Sequence, residues 1–121
     1  MLGLRTSAYM VKDLEGAKNW YAKAFMVDPY FDQPFYVGFN IGGYELGLIP
    51  QEDQEIEVGN NNITYWGVND IETTFQYFLD LGAQIHEAPH NVGDEIMVAS
   101  VIDPWGNIIG IIYNPHFCIS V

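Results

Sequence analysis

The 121 residues are enough for one compact domain with a buried core, or for two small modules that share one. Sixteen acidic residues stand against four basic ones, and no Lys or Arg follows Lys23, so nucleic acid is excluded as a partner because phosphate would be repelled. No apolar run reaches the roughly 20 residues that span a membrane, and the N-terminus lacks a signal-peptide pattern, so we expect a soluble cytoplasmic protein.

The first half of the chain is predicted to form a strand, a helix and then further strands. Residues 4–11 are short, partly apolar and partly alternating, which favours a strand. Asp13 is a typical helix N-cap, and the amphipathic pattern after it predicts a helix over residues 14–26. Residues 30–50 contain strand-forming residues interrupted by Gly42-Gly43, which indicates two or three antiparallel strands.

A second stretch repeats this order after a linker. Residues 51–61 are rich in acidic residues and asparagine and lack apolar periodicity, so we interpret them as the linker. A strand at residues 63–68 then precedes Asp70, which caps a helix predicted over residues 70–81. Further strands are predicted over residues 84–87, 95–102 and 108–113. The turn residues 103–107 make the last two strands a hairpin.

Two segments of the first half recur in the second half. Val11-Lys12-Asp13-Leu14-Glu15 matches Val68-Asn69-Asp70-Ile71-Glu72, and residues 43–49 align with residues 106–112, glycine on glycine at both ends. Because one such unit has a single helix on one face of a small sheet, two copies together would bury the other face. We therefore predict an α+β fold of tandem βαβββ modules that form a curved mixed sheet around a cleft. The modules form one domain over residues 1–121, divided into 1–50, the linker 51–61, 62–115 and a tail at 116–121.

Five short motifs occur in a characteristic order along the chain. They are Val11-x-Asp13-Leu14, Trp20-Tyr21, Val68-x-Asp70-Ile71, Leu81-Gly82-Ala83 and Asp103-Pro104-x-Gly106-Asn107. This ordered set resembles the glyoxalase / bleomycin-resistance protein / extradiol dioxygenase superfamily, also called vicinal oxygen chelate (VOC) proteins. The resemblance spans nearly the whole chain and implies paired βαβββ modules, commonly assembled as a homodimer, with a ligand site inside the cupped sheet.

The resemblance also indicates where the metal ligands of family enzymes would lie. Those enzymes hold a divalent metal with four side chains, two on the opening strands of the modules and two on the closing strands. The resemblance maps these positions onto Thr6, Gly47, Ile63 and Gly110. None of the four supplies a strong ligand, because divalent ions need carboxylate or imidazole donors and neither Gly nor Ile has a side-chain donor. We therefore expect no metal and no cofactor at the family site.

Other residues offer little for a metal ion. Glu45 lies two residues from Gly47, so on a regular strand it would point into the same cavity. His86 and His90 are four residues apart, but the proline between them and a strand context deny them a shared helical face. The single cysteine, Cys118, excludes an internal disulfide and a cysteine-based zinc cluster within one chain.

Two classes of function remain open from the sequence. The first is a metal-free module, not an enzyme, that binds a neutral or cationic small organic ligand, aromatic compounds included, as drug-sequestering relatives do. The alternative is a glyoxalase-like lyase, epimerase or dioxygenase with a non-standard metal site, in which Glu45 would be the catalytic base; a metal-free enzyme that uses Glu45 alone is a third. We expect a homodimer, with no nucleic-acid or membrane partner. The predicted ligand pocket consists of Thr6, Ala8, Met10, Glu45, Gly47, Ile63, Tyr65, Gly110 and Ile112.

Overall fold

Residues 4–51 and 63–116 are described by a computed structural model of the chain. Internal contacts divide the chain into two compact units, Met1–Val58 (unit 1) and Gly59–Val121 (unit 2). Unit 1 contains β1 (Thr6–Val11), α1 (Leu14–Phe25), β2 (Phe31–Gln33), β3 (Tyr36–Ile41) and β4 (Tyr44–Pro50). Unit 2 contains β5 (Thr64–Gly67), α2 (Ile71–Asp80), β6 (Gln84–Gly93), β7 (Ile96–Ile102) and β8 (Ile108–Tyr113).

Unit 1 is a four-stranded mixed sheet with one helix on one face. The strand order is β1-β4-β3-β2, with β1 parallel to β4 and the other pairs antiparallel. Asp13 starts α1 by accepting a 3.0 Å hydrogen bond from the backbone N–H of Gly16, and Met26 ends it in the left-handed conformation at φ 56°. The two-residue turn Gly42-Gly43, with both φ values positive, joins β3 to β4.

The core of unit 1 lies between the sheet and α1. Alternate residues of the strands are buried on the face toward the helix, and the helix buries one stripe against them. The buried strand residues are Tyr9, Val11, Val37, Phe39, Leu46 and Leu48, and the buried helix residues are Ala17, Tyr21 and Ala24. The rings of Tyr9 and Tyr21 stack at a centroid distance of 5.9 Å. The opposite face of the sheet, which carries Thr6, Ala8 and Glu45, points away from α1.

Unit 2 repeats the same topology with strand order β5-β8-β7-β6 and a parallel β5–β8 pair. Asp70 caps α2 by accepting a 3.1 Å hydrogen bond from the backbone N–H of Thr73, and Gly82 follows the helix at φ 99°. The buried apolar residues of this core are Ile71, Phe75, Phe78, Ala83, Ala99, Val101, Ile109 and Ile111. Neither α1 nor α2, the two helices of the described ranges, is long and apolar enough to cross a bilayer.

The βαβββ order predicted for both halves is confirmed, as are the two helices, the Asp13 and Asp70 caps and the closing hairpin. One strand differs from the prediction, because β6 continues to Gly93 where the sequence indicated an end at Glu87. β6 is an edge strand with several register shifts against β7, and Pro89 is tolerated there because an edge strand does not need every N–H for pairing. Most of the predicted linker and the tail beyond His116, including Cys118, lie outside the described residues.

Candidate functional site

Two tyrosine rings lie on a pair of glycines on the face of the unit 1 sheet that points away from α1. Gly38 on β3 and Gly47 on β4 are register partners. A Cβ atom built on Gly47 would lie 2.7 Å from Cζ of Tyr36, and one built on Gly38 would lie 3.2 Å from ring atoms of both Tyr30 and Tyr36. The two glycines are therefore needed for the close approach of these rings.

Both tyrosines direct their hydroxyl groups to one carboxylate. Tyr30 donates to Oε1 of Glu45 and Tyr36 donates to Oε2, so each carboxylate oxygen accepts one hydrogen bond. Burial raises the pKa of Tyr36 above its ordinary value, so its hydroxyl remains a proton donor throughout the physiological pH range. We call Tyr30, Tyr36 and Glu45 the Glu45 cluster.

A cavity of about 260 Å³ opens beside the Glu45 cluster, entirely within unit 1. It is lined by two oppositely charged side chains, Arg5 and Glu45, together with Thr6, Asn40 and the aromatic residues Tyr30 and Tyr44. The backbone holds the two charged residues next to each other, since the N–H of Glu45 donates a 2.9 Å hydrogen bond to the carbonyl of Arg5. The cavity thus combines both signs of charge with aromatic surface.

A comparable arrangement covers the second strand glycine in unit 2. Gly110 on β8 pairs with Tyr65 and Ser100, and a Cβ there would lie 2.6 Å from the Tyr65 ring and 2.9 Å from Cγ2 of Ile63. Ser100 is buried, and its hydroxyl lies 2.7 Å from Nδ1 of His86. In each unit, therefore, the glycine that takes a metal-ligand position by resemblance is covered by a tyrosine of the same unit.

The donor groups present do not fit the metal site of family enzymes. Thr6 and Gly47 share one face of unit 1 and Ile63 lies against Gly110 in unit 2, but none of them carries a carboxylate or imidazole. Both oxygens of Glu45 already accept tyrosine hydroxyls. Within residues 4–51 and 63–116, no three His, Cys, Asp or Glu side chains come together as a metal-binding group.

The two histidines of β6 engage different partners. His86 contacts Ser100, whereas Nε2 of His90 lies 3.7 Å from Glu87 and its Nδ1 lies 2.8 Å from the carbonyl oxygen of Ala88. His86 and His90 therefore have separate contacts along β6.

The predicted pocket residues of each unit share a sheet face. In unit 1, strand register pairs Thr6 with Glu45 and Ala8 with Gly47, and Met10 lies two residues further along β1. In unit 2, Tyr65 pairs with Gly110, Ile63 contacts Gly110, and Ile112 lies two residues further along β8. Their role in ligand binding stays a prediction.

Sequence reasoning missed the tyrosines of the Glu45 cluster and Arg5. Tyr36 has the same strand parity as Gly38 and Asn40, which would have placed it on the correct face once β3 was delimited. Tyr30 lies outside any strand and is held by a 3.0 Å hydrogen bond from its N–H to the carbonyl of Gly38. No local sequence pattern predicts this contact.

Comparison with known proteins identifies the family. The model for the Glyoxalase/Bleomycin resistance protein/Dioxygenase superfamily matches residues 3–111. No curated protein sequence matches the chain significantly.

Solved structures with the same fold share little sequence with this chain. A glyoxalase-related enzyme from Fulvimarina pelagi is 19% identical, with a TM-score of 0.83 over 100% of this chain and 94% of that one. A lactoylglutathione lyase from Agrobacterium tumefaciens is 17% identical, with a TM-score of 0.77 over 97% of this chain and 98% of that one. A glyoxalase/bleomycin resistance protein/dioxygenase family enzyme from Burkholderia phytofirmans PsJN is 15% identical, with a TM-score of 0.77 over 89% and 95%. These likenesses show the fold, and the family-model match over most of the chain shows that it belongs to the Glyoxalase/Bleomycin resistance protein/Dioxygenase superfamily.

Proposed function

We propose that this chain is a metal-free, small-molecule-binding member of its superfamily and that it does not turn its ligand over. The observation that carries the proposal is that aromatic rings cover the strand glycines Gly47 and Gly110. Each stands where the resemblance puts a metal ligand, and each is covered by a tyrosine of its own unit. Aromatic rings at these positions supply ligand-binding surface, whereas metal chemistry would need carboxylate or imidazole donors there.

The chemistry of the proposed ligand follows from the unit 1 cavity. The Glu45 carboxylate favours a ligand with a positive or hydrogen-bond-donating group, and the neighbouring tyrosine rings favour apolar or aromatic surface. The volume of about 260 Å³ lies below the roughly 300–1,000 Å³ of sites that bury drug-sized ligands. A metabolite-sized compound therefore fits this cavity better than a large antibiotic does.

The competing function is a glyoxalase-like lyase, epimerase or dioxygenase. It is favoured by the position of Glu45, a carboxylate at the edge of a cavity, which could accept a proton from a bound carbon acid. The known reactions of this type also need an ion to polarise oxygens of the substrate, and the donors described above do not fit one. We further propose that the protein is a homodimer and acts in the cytoplasm.

A thermal-shift screen of small amines, aromatic metabolites and divalent metal ions tests the proposal. A ligand of the site raises the melting temperature by mass action, by an amount equivalent to about 2.7 kcal/mol when its concentration is 100 times Kd. The shift should be lost in Glu45→Gln and kept in Glu72→Gln, which removes a carboxylate from the first turn of α2. Stoichiometric zinc, nickel or iron in the purified protein, or turnover of a hemithioacetal or a catechol, would refute the proposal and favour the enzyme.

A further inference from the structure

We infer that the cavity beside the Glu45 cluster binds a zwitterion of the α-amino-acid type, an inference that rests on the proposed function and names its ligand class. In this arrangement, Arg5 binds the carboxylate of the ligand, and Glu45 with its two tyrosines binds the ammonium group. The inference needs residues of unit 1 alone.

The cavity has both charges that a zwitterion requires. Arg5 is the single arginine of a chain with only four basic residues, and it lines the same 260 Å³ cavity as Glu45. Its planar guanidinium presents several donors in a geometry that matches a carboxylate. A ligand with only a positive charge would be repelled by the guanidinium.

The Glu45 side of the cavity suits an ammonium group. The Glu45 carboxylate is oriented by two hydroxyl donors, one on each oxygen, and keeps further acceptor sites for ligand N–H groups. Tyr30 and Tyr44 line the cavity and add aromatic surface, which suits a cation or an apolar side chain. Asn40 also lines the cavity, and its side-chain carbonyl oxygen accepts a 2.8 Å hydrogen bond from the N–H of Gly43.

Three compounds with the same phenyl-carbon skeleton test the inference directly. L-Phenylalanine carries both charges, phenethylamine lacks the carboxylate, and 3-phenylpropionate lacks the ammonium group. Calorimetric titration should give L-phenylalanine a Kd about tenfold lower than that of either analogue, because each analogue lacks one charge-assisted hydrogen-bonded pair. Equal or tighter binding of phenethylamine or 3-phenylpropionate, or no binding of L-phenylalanine, would overturn the inference.

Two variants test which residue binds each charged group of the ligand. Arg5→Gln should abolish the advantage of L-phenylalanine over phenethylamine, and Glu45→Gln should abolish its advantage over 3-phenylpropionate. Lys12→Gln and Glu72→Gln, which change exposed charges outside the cavity, are matched controls that should keep both advantages. If all four variants keep both advantages, the charges of the cavity do not hold the ligand and the inference is wrong. Failure of this test leaves the proposed function standing if other small molecules bind, whereas bound metal or turnover refutes the proposed function itself.

Discussion

Alanine at the three strand glycines Gly47, Gly110 and Gly67 should have three different effects on stability. None of the three has a positive φ, so alanine is conformationally allowed at each, and the surroundings of the new Cβ decide the outcome. At Gly67 nothing lies within 4 Å. At Gly47 the close atoms belong to the outer end of the Tyr36 ring, whereas at Gly110 they include the backbone carbonyl oxygen of Thr64 at 2.8 Å.

The magnitudes follow from what must move in each case. Gly67→Ala should be neutral or stabilise by about 0.5 kcal/mol, because it only reduces the entropy of the unfolded chain. In Gly47→Ala the tyrosine can rotate away, and the loss of its hydrogen bond to Glu45, about 1.5 kcal/mol at the low end for a charged acceptor, outweighs the same entropic gain. The net cost is about 1 kcal/mol. In Gly110→Ala the backbone of β5 must shift against β8, which costs about 2–3 kcal/mol as overpacking.

Urea denaturation followed by far-UV circular dichroism measures the three effects. The midpoint should rise slightly or stay unchanged in Gly67→Ala, fall modestly in Gly47→Ala and fall most in Gly110→Ala, with similar m-values. A double variant, Gly47→Ala with Tyr36→Phe, should lose little more than Gly47→Ala alone, because the tyrosine hydrogen bond is already broken. Equal midpoints for Gly47→Ala and Gly110→Ala would refute the reasoning from ring and backbone contacts.

Three further predictions concern the closing turn, the second helix and the assembly. Asp103 is buried and accepts hydrogen bonds from the N–H groups of Trp105 and Asn107, so Asp103→Ala should lower the free energy of unfolding by at least about 2 kcal/mol. The control Asp28→Ala, at an exposed position in the loop after α1, should leave it unchanged. The backbone hydrogen bond from Thr73 holds the pKa of Asp70 below its ordinary value of 3.8. The ionised carboxylate therefore stabilises the folded state at pH values above 3.8, and this stabilisation is lost as the pH falls through the lower pKa of the folded protein. The free energy of unfolding should therefore fall less steeply with decreasing pH in Asp70→Asn than in the unchanged protein. Equal pH profiles of the two proteins would contradict the role of this carboxylate. Sedimentation equilibrium should show a homodimer, and a mass of 13.7 kDa at micromolar concentrations would count against it.

Local patterns in the sequence were sufficient for the elements and their order. Asp13 and Asp70 are followed by amphipathic stretches, and caps and helical periodicity depend on residues only a few positions apart. The turn at residues 103–107 could also be predicted from the sequence, because it depends on local properties. These are the hydrogen bonds of the Asp103 side chain within the turn and the ability of Gly106 to adopt a positive φ of 92°. The internal repeat then indicated the βαβββ topology of both units before any contact was known.

The tertiary structure decided what covers the strand glycines and which charges meet at the cavity. The sequence indicates that Gly47 and Gly110 carry no side-chain donor, but only the tertiary structure shows that Tyr36 and Tyr65 lie over them. Arg5 and Glu45 are 40 positions apart and become neighbours through the parallel pairing of β1 with β4. Parallel pairing joins segments separated by a whole helix and two strands, so its register depends on how the intervening chain packs, and no local pattern encodes it.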